Sequence, residues 1–132
     1  MPLDPEYTLP IQAGVRDYNY VYGVEYESPI EGSHNHNVPC AVCAVSTHEM
    51  VLMIPAKTSC PTSWTRAYYG YFMSEYYGSR HARSMYTCVD RGQESLPGSH
   101  ANDNGALFYH VEASYTGMAC PPYDPQKELT SK

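Results

Sequence analysis

The ten residues HNHNVPCAVC, positions 34 to 43, gather two histidines and two cysteines in a spacing that could do chemistry. His34, His36, Cys40 and Cys43 are ligand types that zinc accepts, and a Cys-x-x-Cys pair is a common zinc half-site. The same pair would exchange disulfides if it opened a helix whose dipole favoured the thiolate. CAVCAVS is instead rich in valine and reads as a strand, which removes that support. Pro39 parts the histidines from the cysteines, and the His-x-His pair falls in a Gly/Ser/Asn loop. Three further cysteines, Cys60, Cys88 and Cys120, shift the weight from metal to disulfide or packing roles. Five cysteines in 132 residues point to an oxidising compartment, and an odd number leaves at least one without a partner in its own chain.

Other pairings are weaker. His110 with Glu112 on one strand face, or His100 near Asp103, can be written as acid–base pairs. Six histidines and fourteen acidic residues make such coincidences common. There is no GxSxG, HExxH, P-loop or GxGxxG pattern. ANDNG lacks the remaining carboxylates of a calcium loop and reads better as a tight hairpin turn. Arg80 and Arg83, in SHARSMY, read as a solvated basic edge. The expectation is a protein that is not an enzyme, with no catalytic residues, cofactor or metal. A zinc-dependent hydrolase built on His34, His36 and a cysteine is the weakest alternative.

The elements that carry these residues are β in character. Fourteen tyrosines stand against two phenylalanines and one tryptophan. Tyrosine buries a large ring but keeps a polar tip that needs water or a partner. It therefore suits shallow cores, wet interfaces and saccharide platforms. In YNYVYGVEY a period of two places Tyr18, Tyr20, Tyr22, Val24 and Tyr26 on one strand face. Short apolar runs follow, CAVCAV, MVLMI, AYYGYFM, SMYTCV and ALFYHVEA, parted by Pro, Gly and polar residues. TRAYYGYFMSEYY has room for one short helix. The pattern predicts an all-β fold, a compact, disulfide-supported sandwich or barrel-like domain. One domain spans 1–132, with an extended lead-in over 1–16 and a polar, proline-rich surface tail over 121–132.

A net charge of −6 and only eight Lys and Arg exclude a nucleic-acid backbone as partner. No apolar run nears the roughly 20 residues of a membrane span, and MPLDPEYTLP has no signal-peptide pattern.

The succession HNHNVPCAVC, VLMIPAKTSCPTSWT, YYGYFMSEYYG, YTCVD, ESLPGSHANDNGALFYHVEA and CPPYDPQKELT resembles a cysteine-rich extracellular domain of sponges, cnidarians and molluscs. That family is the short-chain collagen C4-like, or spongin-type, domain, and the resemblance runs from Tyr18 to Thr130. It implies secretion, a disulfide-supported β-rich module and a role in matrix assembly or recognition. It implies no enzymatic activity. Relative to that family the chain is expected to be truncated at both ends. It lacks a glycine- and cysteine-bearing segment before Leu3 and a second Cys-x-x-Cys after the stretch ELT. Tyr115 also stands where the family has a cysteine. The resemblance thus implies that Cys120 is stranded unpaired, while Cys40, Cys43, Cys60 and Cys88 form two bridges. The Cys-x-x-Cys cysteines would pair with each other or with Cys60 and Cys88.

The expected function is a non-enzymatic secreted module for extracellular or skeletal matrix assembly, through self-association or contact with matrix proteins. The alternative is a lectin-like carbohydrate binder that stacks sugars on Trp64 or on Tyr18, Tyr20, Tyr22 and Tyr26.

Overall fold

A computed structural model describes residues 22–28, 30, 32–41, 43–46, 50–78, 85–114, 116–117, 122 and 127–131. The 1–16 lead-in, Tyr18, Tyr20, Arg80, Arg83, Tyr115 and Cys120 lie outside them.

The fold is all-β, with no helix among the described residues. Its strands are β1 (Val24–Tyr26), β2 (Gly70–Glu75), β3 (Thr87–Asp90), β4 (Ala106–His110) and β5 (Thr130–Ser131). They form one curled, open sheet, a half-barrel in the order β1-β4-β2-β3, with β5 added against β2. The β expectation is met, although the described strands make one sheet rather than two packed face to face.

β2 is the centre of this sheet. Its pleat turns Tyr71, Met73 and Glu75 to one face and Phe72 and Ser74 to the other. One edge pairs antiparallel with β3, from Gly70↔Asp90 to Met73↔Thr87. The other edge is shared, with β5 against Gly70 and Tyr71 and β4 against Met73 to Glu75. Phe72 marks the switch, where its N–H donates to the Leu129 carbonyl at 3.1 Å and its carbonyl accepts the Val111 N–H at 2.9 Å. TRAYYGYFMSEYY therefore carries a central strand and no helix. Pairing at both edges satisfies its backbone groups, and burial of Met73 on one face and Phe72 on the other favours the extended chain.

The core is the cluster Tyr26, Ile30, Met73 and Val89, with Val38, Tyr71 and Phe108 packed against it. β1 runs parallel to β4 in the register Val24↔Ala106 to Tyr26↔Phe108. Its outer edge is covered by the 33–38 loop: Tyr26 N–H donates to the His36 carbonyl at 3.0 Å and Val38 N–H to the Val24 carbonyl at 3.0 Å.

Four sequence expectations are corrected. The tyrosine stripe does not extend along β1: the strand begins only at Val24, so Tyr22 precedes it and is exposed while Tyr26 is 2% exposed. NDNG closes no hairpin, because β4 pairs with β1 and β2 and not with the preceding β3. The turn instead sits over Glu25, with Asn102 and Asn104 at φ of 56° and 53°, a left-handed conformation that asparagine tolerates. MVLMI and the described part of CAVCAV form no strand. The chain beyond MVLMI bonds to β5 through Pro55 and Ala56, and residues 50–54 find no partner strand. Finally, the end of the expected surface tail is built into the sheet. Ser131 is fully buried, and its hydroxyl donates to the Tyr71 carbonyl at 3.2 Å.

Candidate functional site

The segment that follows MVLMI is tethered at two points, first to β5 and then to β3. At its start, Pro55 bridges to Ser131, the Ala56 N–H donates to the Thr130 carbonyl at 2.7 Å, and the Thr130 hydroxyl donates to the Lys57 carbonyl at 3.4 Å. At its end, the Tyr68 hydroxyl donates to the Cys88 carbonyl at 3.1 Å. Between this segment and β3 opens a cleft of about 390 Å³, walled by Leu52, Ile54, Trp64, Tyr68 and Tyr86. Such a volume and apolar lining suit a binding site.

Three features define its chemistry. The Tyr86 ring stacks on Phe72 at 4.9 Å, which roots the cleft wall in the central strand. Arg66 is the one charged residue of the lining among the described residues, and its guanidinium lies 4.9 Å over the Tyr69 ring. Two thiols, Cys60 and Cys88, face the same space. Burial pushes the Cys88 thiol above its ordinary value, the Ser131 hydrogen bond pulls it part of the way back, and the Asp90 charge raises it again. Burial likewise raises the Tyr68 phenol, helped by negative charge at Cys88 and Asp90. Both therefore stay protonated at neutral pH, and at these two positions the cleft offers hydrogen-bond donors beside its apolar wall.

The lips of the cleft are unusually apolar for a surface. Met50 is 72% exposed and Val51 85%, next to the half-exposed Leu52 and Met53, and Tyr86 stands out on the β3 side. Of the expected binding residues, Trp64 lies here, 39% exposed, whereas Tyr22 and Tyr26 belong to the β1 region. Sequence reading missed Tyr68 and Tyr86 as partners of Trp64. Tyr68 belongs to the run AYYGYFM and Tyr86 to SMYTCV, and only the tertiary structure brings both to one cleft with Trp64.

The opening histidines and cysteines do not converge. His34 Nδ1 lies 3.9 Å from the Glu27 carboxylate, and His36 Nδ1 lies 2.9 Å from the His34 carbonyl. The His36 ring sits 5.8 Å from that of His100. Cys40 and Cys43 are exposed. Among the described residues no three His, Cys, Asp or Glu side chains are grouped to hold a metal ion. Cys40, Cys43, Cys60 and Cys88 stand as free thiols in the structure.

His110 takes a partner the sequence did not suggest. Its Nδ1 meets the Glu128 carboxylate at 2.7 Å, not Glu112, and its ring lies 4.9 Å from Tyr71. The Glu112↔Glu128 bridge brings that carboxylate across from a position eighteen residues away.

No protein-family model matches the chain, and no curated protein or solved structure matches it either.

Proposed function

We propose that this chain is a non-enzymatic assembly module of an extracellular or skeletal matrix, and that the apolar lips of the cleft dock against a second copy of the chain. The observation that carries this reading is the concentration of exposed Met50, Val51, Leu52 and Met53 at one cleft, beside Trp64 and Tyr86. Contiguous apolar surface of this kind marks interaction sites, and aromatic residues and methionine are enriched in protein interfaces. The resemblance to spongin-type domains adds secretion and matrix association to the reading. Light scattering across a concentration series tests it. Self-association is expected, and Val51→Asp should abolish it by placing a charge where a partner would exclude water. A strict monomer at high concentration would overturn the reading.

The half-exposed Trp64 ring beside Thr65 and Arg66 favours one second reading, a lectin-like site in which the indole stacks on a sugar. A glycan array with no signal above background would remove it.

A further inference from the structure

We propose that Cys60 and Cys88 are a disulfide-forming pair, and that their bridge locks the wall of the cleft onto β3. Both thiols line the same cleft. The chain that carries Cys60 leaves one anchor at Pro55 to Lys57, on β5, and reaches the next at Tyr68, on Cys88 of β3. The first holds Ser131 of β5, whose hydroxyl donates to the Tyr71 carbonyl, and the second is the Cys88 carbonyl itself. Cys60 thus hangs in a loop tied at one end to β5, a strand in contact with β3, and at the other to Cys88, and it is itself partly buried. A bridge needs Cα atoms within about 7 Å of each other, a distance such a loop can close without disturbing the sheet.

The other cysteines are differently placed. Cys40 follows Val38, which is bonded to β1, and acts on the Tyr26 phenol of that strand. β4 and β2 stand between β1 and β3 in the sheet. Cys40 and Cys43 are exposed, and neither lines the cleft.

The chemistry is ordinary thiol–disulfide exchange. The more accessible Cys60, as thiolate, attacks one sulfur of a small-molecule disulfide such as oxidised glutathione. One glutathione thiolate leaves, and a mixed disulfide remains on Cys60. Cys88 then gives its proton to solvent, attacks the Cys60 sulfur and expels the second glutathione thiolate. The protein loses two electrons and two protons, and both appear in two molecules of reduced glutathione. Because burial keeps Cys88 protonated, the second step is the slower one and quickens as pH rises.

This inference stands apart from the assembly reading, since the bridge forms or fails within one chain whatever the chain associates with. To test it, the reduced full chain is exposed to oxidised glutathione without denaturant, its remaining thiols are blocked, and it is digested with trypsin without reduction. Cleavage at Lys and Arg places Cys60 in peptide 58–66 and Cys88 in 84–91, apart from Cys40 and Cys43 in 17–57 and Cys120 in 92–127. The expected result is a linked pair of 58–66 with 84–91 as the dominant product of these two cysteines, absent from Cys60→Ser. Linkage of either one to 17–57 or 92–127, or recovery of both as blocked free thiols, would overturn the proposal.

Discussion

The buried carboxylate of Glu25, on β1, accepts the backbone N–H of Asp103 at 2.9 Å and that of Asn104 at 3.2 Å. One side chain thereby holds a turn 78 positions away against the edge of the sheet and sets the entry of β4. Glu25→Ala leaves two part-buried donors without their acceptor, which should cost about 1–3 kcal/mol in urea unfolding. Glu25→Gln keeps one acceptor oxygen and should lose less. Equal losses for both variants would show that the carboxylate is not the tie.

Tyr26 should make stability fall at high pH. Burial, with a smaller contribution from the Cys40 charge, raises its phenol to about 12 from an ordinary 10.0. The folded pKa lies above the unfolded one, so the unfolded chain loses this proton first. The contribution is fully present below pH about 10 and is lost as pH rises towards about 12. Phenolate absorbance followed beside unfolding midpoints should show both changes in that window, and Tyr26→Phe should flatten its share. A wild-type slope that Tyr26→Phe leaves intact would assign the effect elsewhere.

Removal of residues 127–132 should collapse the fold rather than trim a tail. Ser131 is fully buried against β2, and Leu129 bonds both Phe72 and Val111. Without this segment the backbone groups of Gly70 to Phe72 lose their partners on one edge. Circular dichroism of the truncated chain should show loss of the cooperative transition. A transition unchanged from the full chain would contradict the placement of β5.

Gly70 permits the close approach of β2 and β3. A Cβ at this position would run into the Val89 carbonyl and lie 2.6 Å from the Arg91 nitrogen, both of them backbone atoms that cannot swing aside. Gly70→Ala should therefore force the strands apart at Gly70↔Asp90 and cost about 1–3 kcal/mol. Gly98→Ala, in open space but at a φ of 75°, is the comparison for backbone strain without a clash. If Gly70→Ala unfolds at the wild-type urea concentration, the approach is looser than drawn.

Some of this was legible in the sequence for a local reason. Period-two alternation in ALFYHVEA reflects side chains that the pleat sends to opposite faces, and β4 falls there, whereas the all-apolar run that holds β2 left a short helix open. The same logic overreached at Tyr22, because alternation says which way side chains point only for as long as the chain stays a strand, and β1 begins at Val24. It failed at MVLMI as well, since a short apolar run looks the same whether it finds a partner strand or lines an open cleft.

Composition and spacing by themselves determined the all-β class. They also determined that no apolar run is long enough for a membrane-spanning helix. No helix among the described residues is long and apolar enough to cross a membrane. Only the tertiary structure decided the rest: Glu128 as the partner of His110, Glu25 under the NDNG turn, the C-terminal residues inside the sheet, and Cys60 with Cys88 in one cleft. These are contacts between residues eighteen to 79 positions apart. Local propensity acts over a few residues, whereas such pairs are selected by which strands share an edge and which faces are buried together.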